Sequence, residues 1–247
     1  MLDPDERRAV AARFRVAEDQ VARDHLISHI LAALPGTTDV VFYGGTALAR
    51  THLPEFRLSE DIDLLARDRP TVATALEASL PRALRREFGT IRWEVPPTRV
   101  ANEAAPALLS TEDGLRVRVQ IGVLDHDRSR WPLERRTVHM RYADVEPLRL
   151  WVPTRTAFVA MKMLAWEDRH APRDLADLAA LAELGAIDSD VPTLLRHVIG
   201  RTVPPAEFTR MPEATRRGWA TQLDHQMANA PDPDECLARV HEAWVSA

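Results

Sequence analysis

Only one lysine and one cysteine occur among these 247 residues, and no apolar run is long enough to cross a bilayer. A single cysteine, Cys236, excludes an intramolecular disulfide and a thiolate metal cluster. The first thirty residues alternate charge with small apolar side chains, as in Asp5-Glu6-Arg7-Arg8, and hold no apolar core of a signal peptide. A cytoplasmic protein with no membrane partner is expected. A net charge of −5 argues against a general nucleic-acid coat protein, but it leaves room for a local basic groove. Of the 32 basic side chains 31 are Arg, so Lys162 stands alone. A lone lysine fits a place where a compact, mobile ammonium is wanted, although a scarce residue must also fall somewhere. What remains is ordinary: 45% hydrophobic and 28% charged residues, enough for one large domain or two modest ones.

Asp3-Pro4 predicts a helix start, and Val10, Phe14, Val21, Leu26, Ile30 and Leu31 continue one helical stripe to Pro35-Gly36. Val40 to Tyr43 reads as a buried strand stopped by Gly44-Gly45, with a short helix from Thr46 to Arg50. Asp61 to Leu65 is a second strand, Thr71 to Phe88 a helix, and Ile91 to Val95 extended. Asp113-Gly114 marks a hairpin whose second strand, Leu115 to Val123, puts Arg116, Arg118 and Gln120 on one face. Val138 to Tyr142 and Leu148 to Val152 are read as further extended pieces. After Pro153 the pattern is helical, with Thr154 as a cap, a helix to about Arg169, and a second from Arg173. The expected fold class is α+β: a mixed β-sheet with flanking helices over residues 1–152, followed by a helical domain over 153–247.

The chemistry is concentrated in Phe42-Tyr43-Gly44-Gly45-Thr46 and, after a loop, Arg57-Leu58-Ser59-Glu60-Asp61-Ile62-Asp63-Leu64. A strand ending in Gly-Gly-Thr and opening a helix forms a phosphate cradle. Glycines admit close approach, the first amides of the helix point at an anion, and the Thr46 hydroxyl adds a donor. The strand period of two puts Asp61 and Asp63 on one face. Paired carboxylates on a rigid strand suit Mg2+, a hard cation that prefers oxygen and often shares substrate phosphates. Each piece alone has an ordinary alternative, a turn or a solvated carboxylate pair; their order is what is specific.

That order resembles the nucleotidyltransferase superfamily typified by DNA polymerase β. The fuller string resembles its AbiEii/MenT branch, toxin nucleotidyltransferases of type IV and related toxin–antitoxin systems. Downstream, Lys162-Met163-Leu164 leading to Arg169, then Arg173-Asp174-Leu175-Ala176-Asp177-Leu178, is similar to that branch's later motifs. The resemblance implies that Asp61 and Asp63 bind Mg2+ and act in catalysis with Lys162 and Asp174. It also implies that Gly44, Gly45, Thr46, Lys162 and Arg169 hold a nucleoside triphosphate, the helical domain completing the active site. Lys162 and Arg169 lie seven apart, two helical turns, and so can face one side. Asp174, near a helix start, could instead serve the helix dipole. Arg173 could bind phosphate or pair with Asp177, and Arg57 and Ser59 could only order their loop.

One departure concerns a third carboxylate that many superfamily enzymes carry on a later strand, where Gln120 stands here. Either deprotonation of the acceptor is assisted otherwise, or transfer is slow, or that strand alignment is wrong. By resemblance the acceptor is RNA, a tRNA 3′ end, and a cognate antitoxin is a partner. Arg128, Arg130, Arg135, Arg136, Arg141, Arg149 and Arg155 face only Glu134, Asp144 and Glu146, with Trp131, Tyr142 and Trp151 interleaved. Arginine with aromatics suits single-stranded RNA; a solvated face with core aromatics reads equally well. His139, His170, His197, His225 and His241 show no metal-ligand spacing, and Trp219 and Trp244 read as core. Transfer to a protein hydroxyl or a small molecule, or a catalytically weakened binding module, are the alternatives.

Overall fold

The computed structural model describes residues 2–34 and 40–247. Two compact units result, one of residues 1–129 with 134–152 and one of 130–133 with 153–247. The first opens with α1 (Pro4–Phe14), capped by the Asp3 carboxylate on the Asp5 and Glu6 amides, with Pro4 in the first turn. The single helix expected across this region is two. Arg15, at φ 49°, turns left-handed and ends α1, and α2 (Glu18–Ala32) starts afresh. Both helices bury apolar faces, Val10 and Phe14 in one and Val21, Leu26, Ile27, Ile30 and Leu31 in the other. The seven-residue step from Phe14 to Val21 keeps helical phase, and that is why the break is invisible in the pattern. The predicted stop at Pro35-Gly36 lies outside the described residues.

The α+β class is as expected. Among the described residues seven strands form one mixed sheet in the order β3-β4-β5-β2-β1-β7-β6. They are β1 (Val40–Tyr43), β2 (Asp61–Ala66), β3 (Ile91–Val95), β4 (Ala107–Thr111), β5 (Arg116–Val123), β6 (Leu133–Val138) and β7 (Leu148–Pro153). Strand β2 sits centrally, antiparallel to β1 and parallel to β5, while β1 runs parallel to β7. The β4–β5 hairpin turns at Gly114, whose φ of 89° needs a residue without a side chain. Helices α3 (Gly44–Thr51) and α4 (Arg69–Phe88) complete this unit's described helices. The extended piece expected at Val138 to Tyr142 is displaced: β6 ends at Val138, and Arg141 has φ 64°. Strand β6 reads Leu-Glu-Arg-Arg-Thr-Val, a charged sheet edge whose composition hides its strand character.

In the second unit Thr154 caps α5 (Arg155–Arg169) by accepting from the Ala157 amide. Helix α6 (Pro172–Glu183) packs on α5, on α8 (Glu213–Leu223) and on α9 (Pro233–Ser246), and α7 (Asp190–Ile199) packs on α5. Trp219 and Trp244 are buried as expected, their indole N–H groups donating to the carbonyls of Pro231 and Val203. Among the described residues no helix is long and apolar enough to cross a membrane.

Candidate active site

Strand β1 delivers Gly44 and Gly45 directly into α3, whose preceding residue, Tyr43, provides no side-chain cap. The first amides of a helix have no partner within it, so these stay available to an anion. Gly44 has φ 77°, and a Cβ there would overlap Asp63 Oδ2. A Cβ on Gly45 would lie 2.9 Å from Arg57 Nη2. Both glycines are thus required by close approach: Asp63 is packed against the turn, and buried Arg57 lies beneath it. Arg57 also donates to the Leu58 carbonyl at 3.3 Å, which orders the loop.

Thr46 departs from the role expected of it. Its hydroxyl is buried, donates to the Asp61 carbonyl and meets Ser59 Oγ at 2.8 Å. It ties the start of α3 to the start of β2, so the turn's outward donors are backbone amides.

On β2, Asp61 and Asp63 are both half-buried and alternate with buried Ile62 and Leu64. The register puts Tyr43 opposite Asp63 across β1, and Arg118 and Gln120 opposite Asp61 and Asp63 across β5. Gln120 is thus the β5 residue paired with Asp63. Its amide nitrogen donates to the Glu103 carbonyl at 2.6 Å. Burial first, then Asp63, pushes the Tyr43 phenol up to about 12, so it stays protonated at neutral pH.

Arg118 was not foreseen. Its Nε and Nη2 clasp the two Asp61 oxygens at 2.7 and 3.1 Å, a bidentate pair. Hydrogen bonding to Asp61 raises the guanidinium pKa further. Alternation along β5 places Arg118 on the face of Gln120, but only strand register makes it the neighbour of Asp61. Asp61 is thus paired with a guanidinium, and Asp63 stands two residues on along the same strand. The oxygen-only donors fit Mg2+.

In the second unit, α5 and α6 bring Lys162, Arg169 and Asp174 together. Lys162 Nζ is 2.8 Å from Asp174 and 2.7 Å from Asp177, and Arg169 clasps Asp174 at 2.7 and 3.1 Å. Burial pushes the Asp174 carboxyl up, but Lys162 and Arg169 outweigh it and hold it below the usual carboxylate range. Asp174 is fully buried, whereas the Arg169 side chain is 58% exposed.

The Arg-rich span does not form one surface. Arg141 is buried, bound to Asp24 and to the carbonyls of Ala49 and Pro54, and the buried Tyr142 hydroxyl donates to Asp24. Arg128 is engaged by Glu103 and the Val123 carbonyl. Arg141 and Tyr142 belong to the fold, because a buried Asp24 requires cations and donors around it. On the β6–β7 ribbon, Arg135, Arg149 and Trp151 remain exposed, with the Arg135 guanidinium 5.8 Å from the Trp151 ring centre.

A mixed sheet that feeds a strand into a Gly-Gly helix start and carries Asp-x-Asp on the adjacent strand has the frame of a nucleotidyltransferase. The sequence profile described as Nucleotidyl transferase AbiEii toxin, Type IV TA system, matches residues 25–242. The chain belongs to this family of nucleotidyltransferase toxins. Among solved structures it is similar to MenT4, a nucleotidyltransferase toxin of Mycobacterium tuberculosis H37Rv. There the identity is 19% and the TM-score 0.61, over 96% of this chain and 88% of that one. It is also similar to JHP933 of Helicobacter pylori at 16% identity and TM-score 0.57, over 93% and 92% of the two chains. At such identities the likeness establishes the fold. No curated protein sequence matches the chain.

Proposed function

We propose that this toxin transfers a nucleoside monophosphate from a nucleoside triphosphate to the 3′ end of an RNA, a tRNA by the family's pattern, and that a cognate antitoxin restrains it. The observation that carries the reading is the apposition of Gly44, first residue of the Gly-Gly turn, to Asp63, with Asp61 two residues away on the same strand face. Gly44 and Gly45 amides hold phosphate oxygens, and Asp61 and Asp63 hold Mg2+. When bound there, Mg2+ supplies neutralisation of triphosphate charge. Lys162 and Arg169, in the second unit and both tied to Asp174, are the further phosphate-binding side chains of this reading. The acceptor hydroxyl oxygen bonds to the α-phosphorus as the α–β bridging bond breaks, and pyrophosphate leaves with that electron pair. Gln120 cannot take the acceptor's proton, so either its deprotonation is assisted otherwise or transfer is slow. The exposed Arg135, Arg149 and Trp151 offer the RNA phosphate contacts and a stacking face.

Incubation with each α-labelled triphosphate, Mg2+ and total RNA or total protein tests the proposal. Label in the small-RNA fraction, lost on removing Mg2+, is expected. Label confined to protein, or none with any acceptor, would overturn the RNA assignment.

A further inference from the structure

A group of four titratable side chains in the first unit lies outside the motifs assigned to nucleotide transfer. His25 and His29 stand four apart on one face of α2. Glu87, at the end of α4, and Asp144, between β6 and β7, join them, and one ligand atom from each of the four lies within 4.8 Å of all the others. His25 Nε2 is 3.1 Å from both Asp144 oxygens and 3.1 Å from His29 Nε2. His29 Nε2 is in turn 3.5 Å from Asp144 Oδ2.

With both imidazoles neutral, the hydrogen bonds among His25, His29 and Asp144 compete for one proton. A neutral imidazole has one N–H, so a proton on His25 Nε2 serves either Asp144 or His29. The nitrogen left as acceptor then turns its lone pair toward a carboxylate. Burial is the main influence on His25 and lowers its pKa, which favours the unprotonated, ligating form. A cation at the centre removes the conflict, because both nitrogens and the carboxylate oxygens would aim lone pairs at it. The dimensions agree. With zinc–nitrogen bonds of about 2.0–2.1 Å, neighbouring atoms of a tetrahedral shell stand about 3.3 Å apart; the spacings among His25, His29 and Asp144 are 3.1, 3.1 and 3.5 Å, and Glu87 completes the group within 4.8 Å.

The surroundings suit an ion as well. Phe88 packs against both imidazoles with ring centres 5.4 and 5.3 Å away, and Tyr142 lies edge-on to His25 at 4.9 Å, fixing the rings. A cavity of about 330 Å³ opens beside His25 and Glu87 and gives a path of entry. We propose that His25, His29, Glu87 and Asp144 bind one zinc-class divalent ion, a structural site chemically distinct from the oxygen-only pair Asp61 and Asp63. Mixed imidazole and carboxylate donors select Zn2+ or Co2+ over Mg2+. The ion would fasten α2 to the end of α4 and to the segment after Arg141, next to Asp24.

Untagged, chelator-stripped protein titrated with Co2+ in the absence of nucleotide tests this. One equivalent should bind with the strong visible absorption of tetrahedral cobalt, be displaced by Zn2+, and raise Tm. His29→Gln and Asp144→Asn each alter an exposed or half-exposed group, so folding, checked by circular dichroism, should survive. Each should weaken binding about a hundredfold or more, and the double variant Asp61→Asn with Asp63→Asn should bind as the unaltered protein does. Absence of stoichiometric binding at micromolar metal overturns the site. So does binding that survives in His29→Gln but disappears in the Asp61 and Asp63 variant.

Discussion

Asp24 with Arg50 and Asp61 with Arg118 are the same chemical pair at nearly the same distance, 2.8 and 2.7 Å, in two different surroundings. Both side chains of the first pair are 0% exposed, while those of the second are 52% and 29% exposed, arginine first. Arg50 donates further to Ser28 and to the carbonyls of His139 and Asp24, and Tyr142 and Arg141 add to Asp24. Burial is the main influence on Arg50 and lowers its pKa to about 10, still charged at neutral pH. A pair so enclosed cannot open without leaving a charge in the core. The Asp61 pair faces water, where an ion pair contributes little, so a stronger cation can displace Arg118 at small cost. The enclosed pair fixes α3, and the open one leaves a site available.

The sharpest break between the two pairs is expected in activity. Asp61→Asn or Asp63→Asn should reduce transfer roughly a thousandfold or more, since several kcal/mol of charge stabilisation would be lost. Unfolding free energy should move by no more than about 1 kcal/mol. Steady labelling kinetics with urea melts give both numbers, and near-normal transfer by both variants would end the metal assignment. Asp24→Asn should do the reverse, lowering stability by about 3–5 kcal/mol through the stranded Arg50 charge. A urea midpoint unchanged from the parent protein would contradict this.

The Lys162 cluster is an intermediate case, with a nearly buried ammonium held by two carboxylates. Lys162→Arg keeps the charge but not the compact head, and transfer should fall about tenfold or more. Full activity in that variant would make Lys162 replaceable. Arg118→Met should leave stability within about 1 kcal/mol and lower the Mg2+ needed for half-maximal transfer several-fold, because the competing cation is gone. A higher Mg2+ requirement would show that Arg118 assists the site and does not guard it. The smallest effect is expected at Arg135→Glu with Arg149→Glu. RNA affinity should drop and its log–log salt slope flatten by about 1–2, with nucleotide binding unchanged. An unaltered slope would send the RNA to another surface.

Much of the site was legible because its logic is local. A strand, two glycines, a helix and a period-two carboxylate pair are set by neighbours in sequence, and so was the Thr154 cap. The α1–α2 break escaped because Arg15 adopts a left-handed conformation that no composition announces, and β6 escaped because an edge strand can be mostly charged. His25 and His29, although four apart, carry no metal signal in sequence, since the carboxylates that give the spacing meaning lie far away in the chain.

By itself, the sequence determined the α+β class, the Gly44 and Asp61 motifs, and which residue types were available to bind phosphate or metal. Only tertiary structure decided which arginines are exposed. Arg135 and Arg141 look alike in sequence, but sheet pairing leaves one beside Trp151 at the surface and encloses the other around Asp24. Strand register likewise chose Arg118 as the partner of Asp61 and Gln120 as that of Asp63. The reason is physical. Periodicity assigns a side chain to a face, but the charge it meets across that face is supplied by a strand or helix far off in sequence, and a buried charge must find its counter-charge there.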